Sequence, residues 1–86
     1  MPKTKDALDT IIRMLSPYVG ETMARAAALA HCQKLGIVVE SADISREQLD
    51  ALLRKLSQGL NIFVGRDKAA AVVGEIQAAM AYHPAS

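Results

Sequence analysis

The sequence predicts an all-α fold, a four-helix domain built from two pseudosymmetric helical hairpins with a short extended linker between them. Three observations lead there. Aliphatic residues recur with helical period, the chain matches itself at an offset of 41 and then 45 residues, and glycine, proline and hydroxyl residues stand where helices start and stop.

The 41-residue offset lays Thr4–Ser16 over Ser45–Ser57. Each segment opens with a hydroxyl residue suited to an N-cap and then carries an apolar stripe, Leu8, Ile11, Ile12 and Leu15 in one, Leu49, Leu52, Leu53 and Leu56 in the other. Asp9 with Arg13 and Asp50 with Arg54 form acid-first i, i+4 pairs on the outer face. These segments predict a first helix over about 5–15 and a third over about 46–58. Ser45 and Gln48 make a capping box for the third, and Gly59 suits its C-terminal stop.

The 45-residue offset lays Ser16-Pro17-Tyr18-Val19-Gly20 over Asn61-Ile62-Phe63-Val64-Gly65 and carries on to Ala24 over Ala69. With Pro17 at a first helical position, the second helix is expected over about 17–34 and the fourth over about 62–81. Gly36 ends the second. Between the halves, Ile37-Val38-Val39 disfavours helix and suits an extended segment. The organisation is therefore one domain over 1–86, with repeat 1 at about 4–35, the linker at 36–44, repeat 2 at about 45–81 and a tail, 82–86, where His83 and Pro84 cannot continue the helix.

On this reading Gly20 and Gly65 lie inside the second and fourth helices, where glycine costs about 1 kcal/mol against alanine. Close packing would compensate. Gly20, Ala24 and Ala28 share one face and Gly65, Ala69 and Val73 another, so the two helices are expected to cross near the glycines, within the chain or between copies.

Composition narrows the function. Fifteen alanines and three aromatic residues, Tyr18, Phe63 and Tyr82, make a thin core, which favours self-association as a homodimer or other homo-oligomer. A net charge of +1, spread along the chain, leaves no basic footprint for nucleic acid or an anionic membrane. Asp6, Asp9 and Arg13 interrupt any signal-like apolar run, and the lone Cys32 fits a reducing compartment, so the chain reads as cytoplasmic.

No catalytic constellation is present. His31 and Cys32 are neighbours on a helix, about 100° apart, and cannot share a side-chain hydrogen bond. Histidine, cysteine and carboxylates show no ligand spacing, so no metal and no cofactor is expected. The first reading is a protein-interaction or regulatory module with an unidentified protein partner, and not an enzyme. Two alternatives remain. Aromatic-Val-Gly with alanine four residues on, at Tyr18-Val19-Gly20 and Phe63-Val64-Gly65, resembles the turn of helix-hairpin-helix DNA-binding motifs. That resemblance implies phosphate contact at the helix-start turns near Gly20 and Gly65, assisted by Arg66 and Lys68. The family's usual second glycine is replaced here by Tyr18 and Phe63, and Glu21 stands where the second copy has Arg66. The other alternative is a small-molecule sensor with a pocket near Tyr18, Phe63 and Cys32.

Overall fold

The computed structural model describes residues 3–81, and the expected tail, with His83 and Pro84, lies outside them. The described residues form four α-helices and no strand: α1 (Thr4–Val19), α2 (Glu21–Leu35), α3 (Arg46–Val64) and α4 (Arg66–Ala81).

Both amphipathic stripes behave as their period requires. Leu8, Ile11, Ile12 and Leu15 of α1 and Leu49, Leu52, Leu53 and Leu56 of α3 are all buried. They meet Ala24, Ala28 and Cys32 of α2, Ala69, Val72 and Ile76 of α4, and Ile37 and Ile44 of the connecting segment in one cluster. Large side chains come from α1 and α3 and small ones from α2, so the alanines let α2 approach leucine-bearing neighbours. α1 packs against α2 and α4, α3 packs against α4 and α2, and α1 touches α3 lightly.

The helix ends depart from expectation at three places. α1 does not stop at residue 15 but runs through Pro17 to Val19, and Ser16 is an interior residue whose hydroxyl donates to the Ile12 carbonyl at 2.6 Å. That i−4 back-bond suits a turn where Pro17 has no N–H to give Arg13. Nor does α3 end at Gly59; it continues to Val64. The four residues that separate the 41-residue and 45-residue offsets are about one helical turn, so they lengthen α3 with little rotation of its stripe, and Leu60 follows Leu56 into the core. Third, Thr4 is not an N-cap. Lys3 holds that position, while the buried Thr4 accepts no cap bond and instead meets Ser41 Oγ at 3.1 Å. Ser41 spends its proton on the Val38 carbonyl, at 2.5 Å, so the Thr4 hydroxyl is the donor.

Gly20 and Gly65 are the corners themselves. Each closes one helix and opens the next, with φ/ψ of 88°/151° and 87°/162°, a region open essentially to glycine alone. Gly20 N–H donates to Ser16 O at 2.8 Å and Gly20 O accepts from Ala24 N–H at 2.9 Å; Gly65 repeats this with Asn61 at 3.0 Å and Ala69 at 2.9 Å. The expected crossing of the second and fourth helices at these glycines is therefore not made within the chain. Both glycines are exposed, a Cβ on either would meet nothing within 4 Å, and α2 and α4 do not touch. The glycines answer to backbone conformation and not to close approach.

Two ends match expectation closely. Ser45 Oγ accepts from Gln48 N–H and Gln48 Oε1 from Ser45 N–H, each at 3.0 Å, which completes the capping box of α3. Buried Ile44 and Leu49 flank it at the two positions of a hydrophobic staple. Gly36 ends α2 in the left-handed conformation, φ 73°, with Ile37 N–H donating to Cys32 O at 2.8 Å and Gly36 N–H to Gln33 O at 3.3 Å. This is a Schellman stop, and it turns Ile37 back into the core. The linker is not a free extended edge. It pairs with the start of α1 through Thr4 N–H to Ala42 O, 3.1 Å, beside an isolated bridge between Lys3 and Asp43.

Candidate interaction groove

Where α2 runs beside the second half of α3, the packing leaves a groove of about 150 Å³. Leu15 and Val19 of α1, Met23, Ala24, Ala27 and His31 of α2, and Leu56, Gly59, Leu60 and Phe63 of α3 line it. All but His31 are apolar. Met23 and Phe63 are 46% and 55% exposed, and Ile62 beside them is 84% exposed, the highest value among the large apolar residues described.

The volume decides what can enter. Sites for cofactors and drug-sized ligands run to about 300–1,000 Å³, whereas a cavity of about 150 Å³ takes a benzene-sized group. The groove has room for one large apolar side chain.

The far end is different in character. His31 lines the groove, its Nδ1 is buried without a hydrogen-bond partner among the described residues, and Lys34 and Lys55 lie close enough to act on the ring. Burial first, then the charges of Lys34 and Lys55, hold the imidazole pKa below its ordinary value of 6.5. One end of the groove is thus apolar, and the other is bordered by His31 with two positive charges near it.

The residues singled out from sequence are only partly assembled here. Of Tyr18, Phe63 and Cys32, Phe63 alone lines the groove. Tyr18 lies at the other corner, with Lys68 Nζ 5.6 Å from its ring centroid, a cation–π contact. Cys32 is fully buried, and desolvation pushes its thiol pKa up, which makes it a poor nucleophile. Ala24, Ala28 and Ala69 are buried in the core and Val73 is half-buried. Arg66 and Lys68 are exposed at the start of α4, while the first corner carries Glu21, paired with Arg25 at 3.5 Å. That is the one ion pair among the described residues, so Asp9–Arg13 and Asp50–Arg54 do not close; exposed pairs gain too little in water to hold two long side chains together. A wider depression of about 380 Å³ beside this corner is bordered by Asp9, Arg13, Glu21 and Arg25, charges of both signs that select no ligand.

The groove residues Met23, Ala27, His31 and Gly59 were not among the sequence candidates. Their signal lies in mismatches at the 45-residue offset: Gly59 where the first half has Met14, Ala27 against Val72, and His31 against Ile76. Among the described residues no three of His, Cys, Asp and Glu gather as metal ligands, and no helix is long and apolar enough to cross a membrane. Comparison with known proteins returns no matching family model, no similar curated protein and no similar solved structure.

Proposed function

We propose that this chain is a non-catalytic protein-interaction module, a duplicated pair of helical hairpins in which one side has kept an open hole for a partner helix. The observation that carries this reading is the apolar groove between α2 and α3, sized for one side chain and edged by exposed Met23 and Phe63. The duplication is supported by the two corners, which share φ/ψ and hydrogen-bond pattern at residues 45 apart. A fully buried thiol that resists ionisation and the small volume of the groove argue against catalysis and against a cofactor-sized ligand.

Self-association is the second reading, favoured by Ile62, a highly exposed aliphatic residue of α3 that precedes the groove residue Phe63 in the chain. Light scattering tests it directly, since a dimer would place Ile62 of one copy against the groove of another and Ile62→Asp would return it to monomer.

The main proposal is tested with toluene as a probe of side-chain size. In spectra of the ¹⁵N-labelled chain, toluene is expected to shift the amides of Ala27, Gly59 and Leu60 and leave those near Val72 unmoved. Gly59→Met should fill the hole, keep the helical circular-dichroism spectrum and abolish the shifts. Uniform shifts over the surface, or shifts that survive Gly59→Met, would overturn the proposal.

A further inference from the structure

We infer that the partner of this groove is an acidic amphipathic helix, one large apolar side chain seated in the hole and a carboxylate one to two turns away pairing with His31, Lys34 and Lys55. The inference rests on the interaction reading above and names the chemistry of the partner.

Met23 marks the apolar end of the groove and Ala27 its middle; His31 follows one turn on and Lys34 a further turn, at 1.5 Å rise per residue. Lys55 comes to the same end from α3, next to Leu56 and one turn before Gly59, both of which line the groove, and its charge acts on the His31 ring together with that of Lys34. Both charges that bear on the His31 ring are positive, and the ring itself borders the groove. A helix lying along the groove with an apolar residue over Ala27 therefore brings its residues four and seven positions away to His31 and the two lysines. An amide or hydroxyl oxygen accepts at most two hydrogen bonds and carries no charge, whereas a carboxylate accepts more and offsets the positive charge as well. Partial cover by the docked helix strengthens that pairing relative to open water.

The same pattern bears on the second copy as an occupant. Ile62 supplies an apolar projection, but a copy seated by Ile62 also needs an acid at matching spacing along α3. Within α3, the positions four and seven before Ile62 are Gln58 and Lys55, neither of them acidic, and the helix ends at Val64 before either position after it. Charge complementarity favours a different chain.

The test uses fluorescein-labelled helical peptides and the full chain, followed by anisotropy. One peptide carries leucine with glutamate at i+4 and i+7, a second has glutamine at both positions, and a third has alanine for leucine. The glutamate peptide is expected to bind about tenfold more tightly than the glutamine peptide and to lose that margin in 0.5 M salt. Lys34→Gln with Lys55→Gln should weaken the glutamate peptide by a similar factor and leave the glutamine peptide unchanged. Equal binding of the glutamate and glutamine peptides would overturn the acidic partner and leave the groove reading intact. Binding by the alanine peptide as strong as by the others, unaffected by Gly59→Met, would overturn the groove reading too. A chain that dimerises and in doing so excludes all three peptides would assign the face to a second copy.

Discussion

The two halves of the molecule use the same corner and finish it differently. At each, a glycine in a conformation closed to other residues joins two helices, an alanine four positions later is fully buried, and an aromatic residue stands two positions before. Beyond that the sides diverge. Around α4, Val72 and Ile76 are buried, Met14 packs against the core, and Tyr18 is capped by Lys68. Around α2, the matching positions hold Ala27, His31, Gly59 and the exposed pair of Phe63 and Met23, and a hole remains. The difference teaches that the groove is made by smaller side chains around a corner of the same geometry. No backbone rearrangement is needed.

The largest effect should come from truncating matched positions on the two sides. Ile76→Ala is expected to cost about 2–5 kcal/mol, because a fully buried aliphatic leaves a cavity. His31→Ala, at the aligned position, should cost about 1 kcal/mol or less, because the ring borders a hole that is already open. Urea unfolding monitored by circular dichroism measures both. Similar losses would mean that the two sides are packed alike and that the groove closes in solution.

Glycine substitutions probe what the halves share. Gly20→Ala and Gly65→Ala should each cost about 1–3 kcal/mol through backbone strain, with no steric component since both Cβ positions face open space. Gly59→Ala, within α3 and equally open, should stabilise by about 0.5–1 kcal/mol. The sign is set by φ alone. A neutral Gly65→Ala beside a costly Gly20→Ala would separate the two corners and weaken the case for duplication.

This explains how much could be read from the sequence. The stripes of α1 and α3 were legible because leucine and isoleucine at helical spacing leave little choice of face. The Ser45–Gln48 box and the Gly36 stop were legible because their chemistry is local. The corners were not, since Pro17 suits a helix start as well as a bent last turn, and glycine supplies either close approach or positive φ with the same letter. Thr4 likewise has two uses for its hydroxyl, and the segment around Ser41 claimed it. The groove escaped because a hole is an absence: Gly59 and Ala27 carry no chemistry, and only their contrast with Met14 and Val72 marks the place. Cys32, suggestive beside His31 in the sequence, faces the core while His31 borders the groove, as the helical turn between them requires.

The smallest effect expected is also the most specific to one side, since His31 titrates and Ile76 does not. Burial and the charges of Lys34 and Lys55 lower the folded-state pKa of His31 below 6.5. As pH falls through that unfolded value, the unfolded chain takes up the proton first, so stability is full above it and declines as the pH drops toward the folded pKa. His31→Gln should remove this slope, and the difference between the two proteins cancels the carboxylates, which titrate in both. Urea midpoints at pH 8, 7, 6 and 5, in a His83→Gln background, are expected to converge with falling pH if wild type begins the more stable, or to diverge if it begins the less stable. A bound carboxylate reverses the sign, because it favours the imidazolium. The glutamate peptide should therefore bind more tightly at pH 6 than at pH 8 and the glutamine peptide less tightly. A flat difference in stability across this range would mean that neither burial nor the charges of Lys34 and Lys55 perturb the ring, and that end of the groove would lose its histidine.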